Sequence, residues 1–257
     1  MLRLHHVDKV YFGGTVNENS LFRGFDLEVE RGSFVSIVGS NGSGKTSLLN
    51  LICGTLAPDA GQITLDGQDI TRWPEYRRAR RISRVFQDPA LGSCQNLTVF
   101  ENLSLAARRT QSYNLRRGVT ERDRARFGEL LASLDMGLEH RLDQVTGTLS
   151  GGQRQALALL MTTMNTPDLL ILDEHTAALD PKSSQRIMAL TDEIIKRHRL
   201  TTLMVTHNLR FALEYGDRLL MMHEGHLLRD DRGSAKEALV LDDLLDQFNQ
   251  ISIEYGN

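Results

Sequence analysis

The chain has 257 residues, of which 40% are hydrophobic and 25% are charged, as in an ordinary soluble globular protein. This length is long for one compact domain and short for two, so a core with one inserted subdomain is expected. The formal net charge of −3 argues against a protein built to bind nucleic acid.

The cysteines and the N-terminal segment limit where the protein works. Cys53 and Cys94 form no CxxC pair, which argues against a disulfide framework or a thiolate metal site and suits a reducing compartment. No apolar run reaches the roughly 18 to 20 residues that span a bilayer. "MLRLHHVDKVYF" also lacks the apolar core of a signal peptide. We therefore expect a soluble cytosolic protein, which could contact a membrane through a partner.

The first eighty residues have a turn-rich, antiparallel pattern that surrounds one phosphate-binding motif. The β-branched run "SFVSIVG" predicts a strand, and "GSNGSGKT" at 39–46 follows it. Glycines let the backbone wrap phosphates, Lys45 supplies a positive charge, and the Thr46 hydroxyl can bind Mg²⁺. The alternative is a glycine-rich turn before a helix. The helix has Gly54 at its end and an apolar side formed by Leu48, Leu49, Leu51 and Ile52. The expected nucleotide contacts of the loop are Gly39, Ser40, Asn41, Gly42, Ser43, Gly44, Lys45, Thr46 and Ser47.

Residues 88–166 contain little strand signal and several helical stretches, so we interpret them as a helical insertion. Within them, "GTLSGGQ" at 147–153 places a serine and two glycines before the helical run "RQALALLM". The free N–H groups at the N-terminus of such a helix can bind an anion, so this segment is a candidate for a second anion site. Ser150 could instead simply cap the helix, although a cap explains neither glycine.

"LLILDEHTAALD" at 169–180 predicts a strand that delivers Asp173 and Glu174 at its carboxyl end, where ligands bind in open parallel sheets. Taken alone, this pair would more often be a solvated strand end. Pro181 is well placed as the first residue of a helix. Strand signals recur at Ile63–Leu65, Ile82–Phe86, Leu169–Leu172 and Thr202–Val205, and a polar loop and a helical pattern follow each of the last two. Strands that alternate with helices predict a mostly parallel sheet.

The C-terminal part begins with a predicted hairpin at 217–230, which turns near Glu224–Gly225. "KEALVLDDLLDQF" predicts an accessory helix after it.

Taken together, these segments resemble the nucleotide-binding subunit of an ATP-binding-cassette transporter. The resemblance covers about residues 2 to 230 in the family's order: the phosphate loop, a glutamine loop ("VFQDP"), the signature Leu149–Gln153, the Asp–Glu strand, "AALD" and the histidine of "MVTHN". It implies an α/β P-loop NTPase core, with a mostly parallel sheet flanked by helices, an N-terminal antiparallel β subdomain and an inserted helical subdomain. The implied division is 1–87 with 167–230 for the core, 88–166 for the helical subdomain and 231–257 for an accessory helix.

The resemblance also implies an ATPase that uses ATP and Mg²⁺ as a head-to-tail dimer of two copies. The signature of one copy would cover the ATP bound by the other, through Ser150, Gly151, Gly152 and Gln153. Transmembrane permease subunits would hold the protein at the cytoplasmic face of the membrane. An extracytoplasmic substrate-binding protein is expected in the same system, and nucleic acid is not.

Single residues take roles from the same resemblance. Glu174 would be the general base, and His207 would contact the γ-phosphate and position Glu174. Gln87 would reach Mg²⁺ or the attacking water, and Asp180 would bridge the two copies. The implied metal ligands are Thr46, Gln87 and Asp173.

An aromatic residue near the N-terminus is expected to carry the adenine. Tyr11 is the predicted platform because a flat aromatic face stacks on any base, and Phe12 is its rival. A core aromatic is the alternative for either residue.

His175 departs from the family pattern, in which a proline commonly follows the catalytic glutamate. "DEHTAALDP" and the "GTVNEN" insert resemble a bacterial branch linked to aromatic amino acids such as tryptophan or tyrosine. His175 could otherwise be a neutral replacement in a loop. Arginines cluster at 72–84 and 108–126, and we interpret them as a solvated face balanced by Glu75, Glu121 and Asp123. Contact with anionic lipid or an acidic partner is the alternative.

We therefore expect an ATPase that powers bacterial import of a small solute such as an amino acid. The absence of a fused membrane segment favours an importer. The rival hypothesis is a soluble cassette ATPase, for example in iron–sulfur assembly. A small-molecule kinase would share the phosphate loop but has no use for "LSGGQ".

Overall fold

The computed structural model describes residues 1–109 and 121–254. Part of the second arginine cluster and the end of the predicted accessory helix therefore lie outside the described residues. The strands are β1 (Leu2–Tyr11), β2 (Asn19–Val29), β3 (Phe34–Gly39), β4 (Ala60–Leu65), β5 (Gln68–Asp69), β6 (Ile82–Val85), β7 (Leu169–Asp173), β8 (Thr201–Val205), β9 (Arg218–His223) and β10 (His226–Arg232). The helices are α1 (Lys45–Cys53), α2 (Glu75–Arg78), α3 (Val99–Ala107), α4 (Glu121–Ala132), α5 (Gly151–Thr163), α6 (Pro181–His198), α7 (Leu209–Glu214), α8 (Ser234–Glu237) and α9 (Leu241–Glu254).

The larger sheet of the described chain has the strand order β10-β9-β3-β8-β7-β6. All of its neighbouring pairs are parallel except β10 with β9, which form the hairpin predicted near Glu224–Gly225. β3 and β8 are buried along their whole length, because helices or the other sheet cover both faces. The expectation of a mostly parallel sheet is confirmed.

The smaller sheet is antiparallel, in the order β2-β1-β4-β5. Alternate residues of β1 and β2 point inwards and pack on α1 and on one face of the larger sheet. The opposite face of the larger sheet packs on α5 and α6. Both sheets thus place the amino end of α1 at the carboxyl ends of β3, β7 and β8, which is where the site forms.

The helices α3, α4 and α5 share a separate apolar cluster, which includes Phe100, Phe127, Leu131 and Leu157. Two helices of this group start with a capping box. Thr98 and Glu101 exchange hydrogen bonds at the start of α3, and Ser150 and Gln153 do so at the start of α5. The Ser150 cap fixes where the signature segment becomes helical.

The C-terminal region differs from its prediction in two ways. β10 runs to Arg232, two residues beyond the predicted boundary, because Arg232 pairs with Arg218 in the hairpin and binds Asp230. The accessory helix is also two helices, α8 and α9, rather than one. Lys236 is buried and donates to the carbonyls of Tyr215 and Gly216, which ties α8 to the start of β9 before α9 begins. Over residues 1–109 and 121–254, the helices are too short or too polar to cross a membrane.

Candidate active site

The phosphate loop lies between β3 and α1, as the sequence predicts. Gly39 has φ of +158°, and a Cβ there would overlap the carbonyl of Met222 in β9, so glycine is required. The loop is also held from outside: the Gly225 amide in the β9–β10 turn donates to the Ser43 carbonyl at 3.0 Å. A Cβ on Gly225 would overlap the Leu21 carbonyl of β2. The loop therefore packs on β9 and on the β9–β10 turn, and this turn packs on β2.

Lys45 lies inside this loop and is only 6% exposed. Its ammonium donates to the carbonyls of Gly39 and Ser40, both at 2.8 Å, and to the Ser43 hydroxyl at 3.2 Å. Burial lowers the pKa of Lys45 below its usual value, while the nearby carboxylates of Glu174 and Asp173 oppose this shift. The loop thus concentrates a positive charge beside backbone groups that can surround an anion.

A cavity of about 280 Å³ opens above the loop. The predicted residues that line it are Tyr11, Asn41, Gly42, Gly44, Lys45, Thr46, Ser47, Glu174 and His207. Tyr11 is anchored because its hydroxyl lies 3.0 Å from the Ser47 Oγ, whereas Phe12 is 71% exposed at the following turn. Tyr11, rather than its rival, is the aromatic residue at the cavity wall.

Glu174 and His207 form a pair at the edge of this cavity. The Nε2 of His207 lies 2.6 Å from the Oε1 of Glu174, and the two residues follow the neighbouring strands β7 and β8. Glu174 has φ of +48°, a conformation that costs energy for a residue with a side chain. Its amide donates to the Val205 carbonyl, which holds the carboxylate at the carboxyl end of the sheet.

The carboxylate of Asp173 is paired with an arginine in this structure. Its Oδ2 accepts a hydrogen bond from the Nη2 of Arg84 at 2.5 Å, across the parallel pair β6 and β7. The Nη1 of Arg84 donates to the Asn50 Oδ1 in α1 at 2.9 Å. Arg84 was expected to lie on a solvated face, so its pairing with Asp173 was not predicted.

The predicted signature residues lie outside this cavity. None of residues 149–153 is among the described residues that line it. Ser150 is exposed at the start of α5, and its hydroxyl accepts from the Gln153 amide at 3.3 Å. Gly151 and Gly152 have no positive φ, and a Cβ on Gly152 would meet its neighbours at 3.5 Å or more. The fold of a single chain therefore does not require glycine at position 152.

Gln87 and Asp180 are also absent from the described lining of the cavity. Gln87 is exposed just after β6. Asp180 is exposed at the start of α6, where its carboxylate accepts from the amides of Lys182 and Ser183 at 3.1 and 3.0 Å. Hydrogen bonds from Ser183, first its side chain and then its backbone, help to lower the pKa of Asp180 below its usual range.

His175 packs into the interior and is 2% exposed. The Thr191 hydroxyl donates its proton to the Ile187 carbonyl at 2.7 Å, so the His175 Nε2, at 3.2 Å, donates to that hydroxyl. Burial lowers the pKa of His175 to about 4. The side chain is therefore a neutral part of the core between β7 and α6.

The first arginine cluster is only partly the solvated face that we expected: Arg72, Arg77 and Arg80 are exposed, but the other three arginines make contacts within the fold. Arg78 is buried and donates to the carbonyls of Leu51 and Ile52 at the end of α1. Arg81 binds Asp66 and Asp168, and Arg84 binds Asp173. For these three arginines the prediction was wrong, because most of their partners are distant in sequence and come together only in the folded sheets.

Two cavity residues were not predicted, Asn19 and Leu21 of β2. Neither belongs to a phosphate-binding pattern, and only the pairing of β2 with β1 brings them beside Tyr11. Their positions could have been found from the strand pairing but not from a motif.

Three comparisons with known proteins agree on one family. Residues 22–177 match the family described as ABC transporter. The chain is 45% identical over 248 residues to the "Tyrosine transport ATP-binding protein" of Clostridioides difficile (strain R20291), covering 96% of this chain and 98% of that protein. It is 36% identical over 203 residues to the "Thiamine import ATP-binding protein ThiQ" of Salmonella choleraesuis (strain SC-B67), covering 79% and 81% of the two chains.

A solved structure supports the same conclusion. The dimeric post-hydrolysis state of the ATP-binding cassette MJ0796, bound to ADP and Pi, has a TM-score of 0.76 and 28% identity, and covers 90% of this chain and 98% of that chain. A parallel sheet with a phosphate loop and an adjacent carboxylate–histidine pair defines a P-loop ATPase. The chain belongs to the ABC transporter family, in which it is the ATP-hydrolysing subunit.

Proposed function

We propose that this subunit powers the import of tyrosine or a closely related aromatic amino acid. The relative that is 45% identical over almost the full length of both chains has a name that assigns it to tyrosine transport. The sequence "DEHTAALDP" independently resembles the branch linked to aromatic amino acids. The subunit would be bound to permease subunits at the cytoplasmic face of the membrane, with an extracytoplasmic protein that binds the amino acid.

We infer that Glu174 is the general base of ATP hydrolysis; the observation that carries this is its 2.6 Å contact with His207 beside the phosphate loop. Glu174 takes a proton from water, the water oxygen attacks the γ-phosphorus, and ADP leaves with the electrons of the broken bond. His207 fixes the carboxylate and reaches the γ-phosphate. Lys45 would exchange the loop carbonyls that now accept from its ammonium for the β- and γ-phosphates, because charged phosphate oxygens are the stronger acceptors.

The remaining phosphate-loop residues, Gly39 to Ser47, would surround the phosphates with amide groups, and Tyr11 would stack on the adenine. Thr46, Asp173 and Gln87 offer a hydroxyl, a carboxylate and an amide oxygen. These are hard oxygen donors of the kind that Mg²⁺ prefers, so the set fits this ion. When bound, the ion would neutralise charge on the phosphate oxygens.

We propose that two copies associate head to tail, so that the signature of one completes the nucleotide site of the other. Ser150, Gly151, Gly152 and Gln153 lie outside the described lining of their own chain's cavity, and Gly152 has room for a Cβ. A partner's γ-phosphate approaching these backbone amides would explain the small residues. Asp180 would contact the partner as well as cap α6. The division into 1–87 with 167–230, 88–166 and 231–257 remains a prediction.

Reconstitution of the complete transporter tests the substrate. The subunit, its permease and its binding protein would be assembled in proteoliposomes, with radiolabelled tyrosine outside and ATP inside. We expect ATP-dependent tyrosine uptake that E174Q abolishes, because the variant lacks the base. Leucine is the matched control and should not be taken up. ATP-dependent uptake of a solute that is not aromatic, with none of tyrosine, would overturn the proposal.

A further inference from the structure

Arg84 connects the catalytic end of the sheet to a surface groove. Its guanidinium binds Asp173 and Asn50 and lies 5.0 Å from the centre of the Phe86 ring. The side chain is 14% exposed, and its buried Nε has no hydrogen-bond partner among the residues that the structure describes. Arg84 therefore has one strong charged partner, Asp173, and an incompletely satisfied donor set.

The groove on the other side of Arg84 has a volume of about 440 Å³. Its lining includes Cys53, Glu75, Arg84, Phe86 and Leu105. Glu75 is exposed at the start of α2, so the groove holds a second carboxylate for the guanidinium. Cys53, Glu75 and Arg84 line the same groove, so the thiol and the two charged side chains lie in one region of the surface.

We propose that Arg84 is a positioning residue that occupies Asp173 when no Mg²⁺ is bound and moves to the groove, toward Glu75, when Mg²⁺ binds. The proposal rests on the proposed assignment of Asp173 to the metal. It goes beyond that assignment because Arg84 and Mg²⁺ would then compete for the Asp173 carboxylate.

Competition follows from charge and geometry. Arg84 occupies the Oδ2 of Asp173 and neutralises its charge, so a divalent ion must displace the guanidinium to use that oxygen. A guanidinium keeps its proton in proteins, so it has to find another acceptor rather than become neutral. The strength of the Arg84–Asp173 pair therefore sets part of the free-energy cost of binding the metal.

The test measures how much Mg²⁺ tightens ADP binding, since ADP is not hydrolysed. Calorimetric titrations of ADP with excess Mg²⁺ and with EDTA give two dissociation constants, and their ratio measures the effect of the metal. We expect this ratio to be at least about fivefold larger in R84Q and R84M than in the wild type, because a competing charge is gone. An unchanged ratio in folded R84Q or R84M would overturn the proposal.

Two controls isolate the cause. R81Q removes a neighbouring arginine that binds Asp168 at the opposite end of β7, and should leave the ratio within about twofold of the wild type. R84K keeps the charge and should also stay near the wild type. D173N separates the two assignments: if it keeps the full Mg²⁺ effect, the metal assignment fails. If it loses the effect while R84Q matches the wild type, only the role of Arg84 fails.

A second measurement does not depend on the folding of Arg84 variants. In C94S protein, which leaves Cys53 as the single thiol, Mg²⁺ added to the ADP complex should accelerate alkylation of Cys53 by iodoacetamide at least about threefold. The reason is that the guanidinium already acts on the thiol, and once Asp173 no longer neutralises its charge it favours the thiolate more strongly. An unchanged rate would contradict the movement of Arg84.

Discussion

Burial of His175 links the stability of the protein to pH at the scale of one residue. Its pKa is about 4 in the folded state, against an ordinary value of 6.5. Above pH 6.5 the imidazole is neutral in both states. Between pH 6.5 and 4, the unfolded chain binds a proton that the folded chain does not, so the free energy of unfolding falls as the pH falls.

The H175Q variant tests this link. Gln keeps a donor for the Thr191 hydroxyl but does not titrate. Between pH 7.5 and 5.0, the wild type should lose about 2 kcal/mol more of its free energy of unfolding than H175Q, as measured by urea denaturation. H198Q, which replaces an exposed histidine of α6, is the control and should follow the wild type. Parallel pH profiles for H175Q and the wild type would show that this burial does not govern the acid sensitivity.

For single residues, the sequence predicted which side chains lie at the site better than it predicted their burial and backbone conformation. Lys45, Glu174 and His207 were predicted because each belongs to a pattern that places it beside a strand end. The burial of His175 could not be predicted, because it depends on Thr191 in α6, sixteen residues away. The positive φ of Glu174 likewise has no signal in the residue type, since glutamate rarely adopts it.

Among the helices, α6 has two contrasting ends: favourable residue types at its N-terminus and a strained backbone conformation at its C-terminus. Asp180 and Pro181 at its start are favourable residue types, which is why the sequence predicted this boundary. At its end, Arg199 has φ of +49° and ψ of +45° in a position that glycine usually fills. Its amide donates to the carbonyls of Ile195 and Lys196, so the backbone is held in this conformation.

R199G should therefore stabilise the protein by about 0.5 to 1 kcal/mol, because glycine adopts this conformation without steric cost. R197G, two residues earlier inside α6, is the matched control and should destabilise it by about 1 kcal/mol. Thermal unfolding of both variants measures the difference. Destabilisation by R199G as large as that of R197G would mean that the Arg199 side chain contributes contacts that outweigh the strain.

At the scale of the whole molecule, the separation of the signature from the phosphate loop predicts how the protein associates. E174Q should bind ATP without hydrolysing it and accumulate as a dimer, because closure is then not followed by turnover. E174Q/S150R should bind ATP but remain a monomer, since the arginine would obstruct the partner's nucleotide. Light scattering after size-exclusion chromatography distinguishes the two outcomes.

The control for this experiment is E174Q/S234R, which places the same arginine on an exposed serine at the start of α8. It should dimerise as E174Q does. An ATP-dependent dimer of E174Q/S150R with normal affinity would exclude a shared nucleotide site that includes Ser150.

The order of the strands within the larger sheet could not be predicted from the sequence. Alternating strands and helices predict a parallel sheet but not that β6 lies beside β7, which brings Arg84 to Asp173. Three of the arginines at 72–84, which are Arg78, Arg81 and Arg84, were misinterpreted for the same reason. Their partners come from α1, from the end of β4 and from β7, so charge patterning within the segment was uninformative.

The contact between Gly225 and the phosphate loop has a consequence for dissecting the protein. Residues 39–46 carry every letter of the nucleotide motif, yet the atom that supports the Ser43 carbonyl arrives from a turn almost two hundred positions downstream. A fragment that stops before this turn keeps the complete motif sequence but loses the hydrogen bond from the Gly225 amide to the Ser43 carbonyl. The complete set of hydrogen bonds around this loop therefore requires the chain through residue 225, because the β9–β10 turn supplies one of them.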